Sequence, residues 1–357
     1  MELQPRILIA VQSQYGGHLA RALVYREILA SSFQVTIATI GGPPAAWFLR
    51  AIDALPEDQP LFHFPGPAMA EDARGRISFS RTIWRYCQDL GQLIRTSSSL
   101  AAFVLRLRPQ LVISDFEPRV SSFCLRYRIP LVTIDAHRRF YLRECPRPPV
   151  REPTVLRDYL GMRAAMVLMH RRGDLNIALS FFPIATHARE ATCVLPPMIR
   201  RAAFEIDPVK GDHLLIYHNS GGEKEDILNQ CQGLPVIVYG YQVDETIGTI
   251  QFKRSSSREF LIDLARCRAY ASRAGFESVA EALYFGKPCT LVPQGRQYEQ
   301  RMNGMHAERL GAVVVDRFDY RAAYENRHAT LLDRRWLATA HDRFRELISE
   351  FADPIIP

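Results

Sequence analysis

Short apolar runs alternate with segments of helical periodicity along this chain, and the alternation restricts the possible folds more than any other feature of the sequence. Apolar runs of strand length occupy residues 7–11, 35–40, 111–114 and 131–134, and apolar residues recur at helical spacing between them. Strands that alternate with helices pair in parallel, because each helix returns the chain to the same edge of the sheet. The first half of the chain therefore predicts a parallel sheet with helices on both faces.

The chain divides into two such units. Its 357 residues exceed what one hydrophobic core comfortably holds. Polar and proline residues gather at 196–197 and 207–212, and the strand–helix alternation restarts at residue 214. We predict an α/β protein with two doubly wound, Rossmann-like domains that face each other across a cleft. The predicted boundaries are 1–203 and 204–334, with a C-terminal helix in 335–357 that packs back on the first domain.

Positive charge is concentrated in residues 137–172, which hold nine arginines of a chain with a net charge of +7. No RNA-binding aromatic motif or helix-turn-helix signature accompanies them, so we predict no nucleic-acid partner. Cations beside apolar residues suit peripheral contact with an anionic membrane, or a grip on a phosphorylated, lipid-like acceptor. An arginine-rich face that is solvated or paired with acids elsewhere is the alternative. The interleaved apolar residues are Tyr159, Leu160, Met162, Met166, Leu168 and Met169.

Hydropathy predicts where the protein resides. No uncharged apolar stretch reaches the ~18 residues that a membrane-spanning helix needs. Residues 1–6 lead into the first apolar run without the features of a signal peptide. We therefore predict a cytoplasmic protein, peripheral at the inner membrane face if the arginine-rich stretch makes contact.

The sequence Ser272-Arg273-Ala274-Gly275 follows a short strand and precedes a helix. A glycine at this point lets backbone amides approach an anion, and the N-terminus of the helix adds partial positive charge. Ser278 can donate to a phosphate oxygen, and Arg273 can add a bidentate fork. The alternative is a plain strand-to-helix turn.

Further polar side chains follow in the same half of the chain. Glu281 lies in the second turn of the predicted helix, near the loop end, where a carboxylate can accept two ribose hydroxyls. A dense group of hydrogen-bonding side chains follows the strand that ends at residue 292, which suits a sugar with many hydroxyls. A solvated helix start is the alternative. This group consists of Gln294, Gln297, Glu299, Gln300 and Asn303.

Together these residues resemble the donor-binding domain of GT-B glycosyltransferases, especially the family 28 type and the related UDP-glycosyltransferases. The resemblance implies that the helix after Ala274 and Gly275 binds the diphosphate, Glu281 the ribose, and Glu299 with Gln300 the sugar. It also implies a diphosphate-facing loop at Asn219, Ser220 and Gly221. Where the family has Gly-Gly or His-x-Gly, this chain has Arg273-Ala274-Gly275. The matching positions are Ala274-Gly275, Ser278, Glu281, Gly286-Lys287-Pro288, Pro293, Glu299-Gln300, Asn303 and Leu310-Gly311-Ala312.

The first half of the chain carries the acceptor side of the predicted cleft. Gly16, Gly17 and His18 follow the first strand and open a helix, and the resemblance implies that His18 is the base that deprotonates the acceptor. Asp115 ends a later strand, and the resemblance implies that it orients His18, where a carboxylate would fix the tautomer. A helix-start histidine and an N-cap aspartate without chemistry are the alternatives. His137 ends the next strand and is a further candidate on the acceptor side.

The resemblance implies an inverting glycosyltransferase that moves a sugar from a nucleotide-diphosphate donor, with a UDP-sugar as the expected donor, to an acceptor hydroxyl. No Asp-x-Asp motif occurs, so we predict no metal and no cofactor besides the nucleotide-sugar co-substrate. The helix N-terminus, serines and an arginine would then stabilise the leaving group. The acceptor, lipid-linked or a small molecule, stays open. A nucleotide-sugar hydrolase and a non-catalytic nucleotide-sugar binding protein are the alternative functions.

Overall fold

The first sheet has seven parallel strands in the order β3-β2-β1-β4-β5-β6-β7. The computed structural model describes residues 4–14, 16–53, 61–66, 70, 79–88, 90–218, 224–328, 330 and 332–355. The strand order reverses direction between β1 and β4, so the loops after these two strands border a crevice at the carboxyl edge of the sheet. The strands are β1 Arg6–Gln12, β2 Gln34–Gly41, β3 Leu61–Pro65, β4 Leu111–Asp115, β5 Leu131–Asp135, β6 Leu175–Leu179 and β7 Cys193–Leu195.

The second sheet also has seven strands, in the order β10-β11-β9-β8-β12-β13-β14. All of its pairings are parallel except the hairpin between β10 and β11. Its direction reverses between β8 and β12, and the loops after these strands border a second crevice. The strands are β8 Leu214–Tyr217, β9 Val236–Tyr239, β10 Glu245–Ile247, β11 Ile250–Lys253, β12 Ala269–Ser272, β13 Cys289–Leu291 and β14 Val313–Val314.

Helices cover both faces of the two sheets. The helical pattern over 336–351 is broken at Thr339, so the structure has two helices where the periodicity alone suggests one. The helices are α1 Gly16–Leu29, α2 Ala46–Asp53, α3 Phe79–Gln88, α4 Leu90–Leu107, α5 Pro118–Tyr127, α6 Pro153–Met169, α7 Lys224–Gln230, α8 Ser257–Arg266, α9 Phe276–Tyr284, α10 Tyr298–Glu308, α11 Tyr320–Glu325, α12 Arg334–Ala338 and α13 Ala340–Ala352. Short 3-10 helices occupy His137–Tyr141, Ala188–Glu190 and Arg201–Glu205.

One apolar core runs from the first sheet into the second. Its buried residues include Ile7 and Ile113 beneath the first sheet and Leu215 and Leu264 in the second. Separate clusters fill the outer face of each sheet. The predicted alternation of strands and helices in two units is confirmed, and the shared core fixes the two sheets against each other.

The helix α13 lies against α1 and β7 of the first sheet. Phe344 is fully buried and its ring centroid lies 5.1 Å from that of Tyr25 on α1. The residues Ala340, Phe344 and Ile348 recur every four positions and are all buried, as expected of a helix that covers a core with one face. The last helix of the chain therefore completes the core beneath its first helix.

No helix in the described part of the chain is both long enough and apolar enough to span a membrane.

Candidate active site

A cleft of about 680 Å³ lies where the carboxyl edges of the two sheets face each other. Residues that follow β1, β4 and β5 line one wall, and residues that follow β8, β12 and β13 line the opposite wall. Ligands of open α/β sheets bind at these edges. The volume lies within the usual range for small-molecule sites, roughly 300–1,000 Å³.

His18 and Asp115 form a buried pair on the first wall. The two residues are 5% and 0% exposed, and His18 Nδ1 lies 2.7 Å from Asp115 Oδ1. His18 is in the first turn of α1, and Asp115 is the last residue of β4, the strand beside β1. The sheet register thus brings together two residues that are 97 positions apart. The structure places this predicted pair within hydrogen-bonding distance, at the wall of the cleft.

The surroundings of the pair determine its charges. The pKa of His18 lies below its ordinary value. Burial is the main cause, and the nearby Arg21 cation also lowers the pKa, while the charge of Asp115 raises it. Burial alone would raise the pKa of Asp115, but the charge of Arg21 and the contact with His18 lower it below its ordinary value. Near neutral pH the pair is therefore a carboxylate and a neutral imidazole, the state that a general base requires.

Phe116 and His137 stack beside His18. The Phe116 and His137 ring centroids are 4.2 Å apart, and the His18 centroid lies 5.7 Å and 5.9 Å from them. Phe116 has a φ of +55°, a left-handed conformation that a bulky residue adopts at a cost of about 1–3 kcal/mol. The turn directs the ring into the cleft instead of continuing β4. His137, predicted on the acceptor side, lines the cleft there.

A second carboxylate lies next to this stack. Asp135 Oδ2 is 3.2 Å from His170 Nε2, and Asp135 Oδ1 is 3.6 Å from His137 Nδ1. Burial alone would raise the pKa of Asp135, but His170 and His137 hold it well below its ordinary value. The first wall therefore carries two adjacent carboxylate–imidazole groups, and of these two the His18–Asp115 group has the shorter contact, 2.7 Å against 3.2 Å.

The N-terminus of α9 forms the centre of the opposite wall. Gly275 is the N-cap, and a Cβ at this position would meet only the Ser278 Oγ, at 3.9 Å. The packing does not require glycine here. The absence of a side chain at Gly275 leaves the N-terminus of α9 open to the cleft. Gly275 and Ser278 both line the cleft, as the sequence predicts.

Two predicted donor residues are not among those that line the cleft. Arg273 places its guanidinium 5.1 Å from the centroid of the Phe318 ring and is not among the residues lining the cleft. Ala274 is fully buried behind the helix N-terminus. The contact of Arg273 with a diphosphate stays a prediction. Asn219, Ser220 and Gly221 lie outside the described residues.

Glu281 lines the cleft but is already engaged by an arginine. Arg200 donates from Nε to Glu281 Oε1 at 2.7 Å and from Nη2 to Oε2 at 2.6 Å. Its Nη1 donates to the backbone oxygen of Ser257 at 2.6 Å. Because each carboxylate oxygen has a second lone pair, Glu281 can still accept a ribose hydroxyl beside Arg200. The ribose role of Glu281 stays a prediction.

The predicted sugar-binding side chains form a network after β13. Gln297 donates to Gln294 Oε1 at 2.7 Å, and Gln300 donates to Gln297 Oε1 at 3.0 Å. Glu299 accepts from Asn303. All except Asn303 line the cleft. Neighbouring amides hold these groups in fixed orientations, which prepares them to bind hydroxyls.

The charges that line the cleft nearly balance. Arg21, Arg200 and Arg296 face four carboxylates among the described residues, and Arg21 and Arg200 are each paired with a carboxylate. The N-terminus of α9 adds backbone amides and partial positive charge to this wall, which suit an anion. The four carboxylates belong to Asp158, Glu277, Glu281 and Glu299.

Arg21, Glu277 and Arg200 were not predicted as site residues. Arg21 lies three positions after His18 on α1, so both side chains share one helix face. That spacing was visible in the sequence. Glu277 lies two residues after Gly275 in the same motif, but helix glutamates are usually solvated. Arg200 lies in the connection between the sheets, and no pattern of the sequence pairs it with Glu281.

Two doubly wound domains that face each other across a cleft are the architecture of the GT-B class of glycosyltransferases. The chain belongs to glycosyl transferase family 1, whose family model matches residues 5–324. The predicted GT-B fold is thereby confirmed, and the more specific likeness to the family 28 type stays a prediction.

Solved structures of glycosyltransferases share this fold at low sequence identity. The Phytolacca americana UGT2 complex with UDP-2fluoro-glucose and pterostilbene is 16% identical, has a TM-score of 0.56, and aligns over 98% of this chain and 94% of its own. Arabidopsis thaliana UGT89C1 complexed with UDP-L-rhamnose is 15% identical, has a TM-score of 0.60, and aligns over 99% of both chains. The calicheamicin glycosyltransferase CalG4 is 16% identical, has a TM-score of 0.61, and aligns over 99% of this chain and 100% of its own. No curated protein matches the sequence.

Proposed function

We propose that this glycosyltransferase moves a sugar from a UDP-sugar to an acceptor hydroxyl, with inversion at the anomeric carbon and without a metal ion. The observation that carries the proposal is the 2.7 Å contact between His18 Nδ1 and Asp115 at the cleft wall. An ionised carboxylate accepts a proton and has none to donate, so the shared hydrogen is on Nδ1. His18 Nε2 is then the nitrogen with a free lone pair, as a base requires.

The proposed reaction is a single displacement. His18 Nε2 removes the proton from the acceptor hydroxyl as its oxygen attacks the anomeric carbon. The bond from that carbon to the nucleotide diphosphate breaks, and the diphosphate leaves toward the N-terminus of α9. Attack from the face opposite the leaving group inverts the anomeric configuration. Asp115 stabilises the imidazolium that forms.

Uridine as the nucleoside is inferred from similar proteins. Two of the similar structures were solved with UDP-sugars, UDP-2fluoro-glucose and UDP-L-rhamnose. The metal-free part of the proposal rests on α9, whose N-terminus offers backbone amides and partial positive charge to the leaving group. In the described part of the chain, no three histidine, cysteine or acidic side chains are grouped as metal ligands.

We expect UDP to raise the melting temperature of the protein, and we expect EDTA not to abolish the shift. Ligand linkage gives about 2.7 kcal/mol of stabilisation at a free UDP concentration of one hundred times Kd. The measurement is a thermal denaturation series with UDP, dTDP and GDP, each with and without EDTA. The absence of a shift with every nucleotide diphosphate would contradict a donor site, and a shift that EDTA abolishes would contradict metal independence.

The acceptor and the stereochemistry require an activity assay. A panel of radiolabelled UDP-sugars, screened against candidate acceptors, should yield a glycoside of opposite anomeric configuration to the donor. Release of free sugar at a normal turnover rate without any acceptor would instead identify a hydrolase. Tight UDP-sugar binding without turnover would identify a binding protein.

We also propose that the outer face of α6 rests on an anionic membrane surface. Leu156, Leu160, Val167 and Leu168 on this helix are 45%, 52%, 72% and 67% exposed. The exposed cation of Arg163 lies on the same face. Apolar side chains beside arginines suit an interfacial helix. The opposite face of α6 lines the cleft, so this orientation suits a lipid-linked acceptor.

Fewer residues of the arginine-rich stretch reach this surface than the sequence predicts. Arg138 and Arg139 are 5% and 0% exposed and therefore cannot contact lipid. Met162 and Met166 pack into an interior cluster beneath α6. Two buried arginines and two buried methionines are thus removed from the predicted surface. These four residues are buried in the folded chain, and the composition of the segment alone does not reveal which of its residues are buried.

Co-sedimentation with vesicles tests the α6 surface. Binding should appear with vesicles that contain anionic lipid, vanish with neutral lipid, and weaken as salt rises, because each cation near the surface contributes about 1 kcal/mol. Val167→Asp should abolish binding. Val209→Asp, at a comparably exposed position in the connection before the second sheet, is the matched control and should bind like the wild type. Equal binding to both vesicle types, or binding to neither, would contradict the proposal.

A further inference from the structure

The guanidinium of Arg21 joins the two walls of the cleft. Its Nε donates to Asp115 Oδ2 and its Nη2 to Asp115 Oδ1, both at 2.8 Å, and its Nη1 donates to Glu277 Oε1 at 2.5 Å. Arg21 is 3% exposed and Glu277 is 8% exposed. Asp115 ends β4 in the first sheet, and Glu277 is the second residue of α9 in the second. One planar, buried group therefore links the carboxylate behind His18 to the helix at the donor side.

The same contacts determine which nitrogen of His18 carries the hydrogen. Arg21 Nη2 also lies 2.7 Å from His18 Nδ1. If Nδ1 accepted that proton, its lone pair would face Asp115 Oδ1 at 2.7 Å, lone pair against lone pair. With the hydrogen on Nδ1, both His18 and Arg21 donate to Asp115, and these charge-assisted hydrogen bonds outweigh the close approach of the two donors Arg21 Nη2 and His18 Nδ1. The bidentate grip of Arg21 keeps Asp115 in the orientation that selects this tautomer.

We propose that Arg21 is a positioning residue of the transfer reaction. It fixes the orientation of Asp115, so that His18 keeps its hydrogen on Nδ1. Through Glu277 it also couples the His18–Asp115 pair to α9, the helix on the donor side. The proposal rests on the proposed function in one respect, the assignment of His18 as the base. Arg21 acts through Asp115 and needs no contact with the substrate.

The charges around Arg21 give the coupling its direction. Burial raises the pKa of Glu277 to about 7, although the charge of Arg21 lowers it. The carboxyl group of Glu277, which contacts Arg21, therefore changes its charge near neutral pH. Glu281 and Asp115 also raise the pKa of Glu277. His18 faces the charges of Asp115 and Arg21 and the ring of His137. Loss of the Arg21 charge should therefore favour the imidazolium of His18, and loss of the Glu277 charge should disfavour it.

Nuclear magnetic resonance of the free protein tests this directly. In protein labelled with 15N-histidine, the ring nitrogen shifts report the tautomer and the pKa of His18, whose signals are identified by their loss in His18→Ala. We expect the Nδ1–H tautomer in the wild type. Arg21→Met should raise the pKa of His18 by about one pH unit, since it removes an adjacent cation. The ring nitrogen shifts of His18 should also show a second, smaller step near pH 7, where Glu277 ionises, and Glu277→Gln should abolish this step.

Arg21→Lys separates geometry from charge. Lysine retains the cation but cannot hold both oxygens of a carboxylate with a planar fork, so the Nε2–H tautomer of His18 should become populated. Arg26→Met is the matched control, because Arg26 is a 7% exposed arginine on the same helix that does not line the cleft. This control should lose stability and leave the pKa and tautomer of His18 as in the wild type.

A His18 tautomer and pKa that stay at wild-type values in the Arg21 variants would overturn the proposal and leave Arg21 with a structural role only. An effect of Arg21→Lys without any effect of Glu277→Gln would overturn the coupling to α9. If Arg21→Met does not fold, these two variants decide the question. The measurement needs no donor or acceptor. A failure of the proposed function would appear separately, as absent turnover or absent UDP stabilisation.

Discussion

Replacement of His18 by alanine should lower the rate of sugar transfer by ~10²–10⁴-fold, the usual contribution of a general base. The stabilisation by UDP should stay at its wild-type size, because His18 lies on the wall opposite α9. The measurements are the turnover of a UDP-sugar with an acceptor from the screen and the melting temperature with and without UDP. Loss of the UDP effect in His18→Ala would contradict the division of roles between the two walls.

The pH profile of the wild type provides an independent check on the base. The lowered pKa of His18 means that the neutral imidazole predominates at neutral pH. The value of kcat/KM should therefore be constant around pH 7 and should fall only as the pH decreases through that lowered pKa, below the ordinary value of about 6.5. His187→Ala, at an exposed position outside the cleft, is the matched control and should keep wild-type turnover. A larger loss in His137→Ala than in His18→Ala would assign the base to His137 instead.

Replacement of Asp115 by asparagine should reduce both activity and stability. Arg21 would bind the amide oxygen, and the amide NH₂ would then point at His18 Nδ1. The hydrogen of His18 would move to Nε2, which removes the base, so turnover should fall by ~10²–10⁴-fold. The free energy of unfolding should fall by about 3 kcal/mol, near the lower end for breaking a buried ion pair, because Glu277 still neutralises Arg21. Urea denaturation and the turnover assay measure the two effects.

Tyr25→Phe is the matched control for Asp115→Asn. Tyr25 is equally buried and donates to Asp115 Oδ2 at 3.2 Å, but it carries no charge. Its removal should cost only about 0.5–1.5 kcal/mol, the net contribution of one hydrogen bond. The tautomer of His18 should persist, because Arg21 still holds both oxygens of Asp115. If both variants cost the same stability and activity, the charge of Asp115 would have no special role.

The sheets could be predicted from the sequence because parallel strands are buried on both faces. Each central strand, such as β4 or β5, is therefore a continuous apolar run that stands out from the helices around it. The edge hairpin of β10 and β11 was not predicted, since its strands are short and partly exposed and carry no such run. The break at Thr339 was also missed, because apolar periodicity continues across it.

The candidate site could be predicted only in part. His18 and Asp115 stand at strand ends, where α/β proteins bind ligands, and the resemblance to UDP-glycosyltransferases is what singled them out. Arg21 and Arg139 are buried, Arg200 is partly buried, and all three make defined contacts, but arginine in a sequence is expected at the surface. Arg139 is fully buried and donates to Asn303 and His306 of α10, across the boundary between the sheets. Such partners become visible only once the chain is folded.

The position of α13 affects how the protein folds during its synthesis. Domains generally fold in the order in which the ribosome produces them. Here the core beneath α1 includes Phe344 and Ile348, which are made after almost all of the chain. The nascent first domain must therefore keep an apolar surface of α1 uncovered while the second domain is translated. That surface is where a chaperone would bind, and truncation before residue 340 should leave an insoluble product although both sheets are complete.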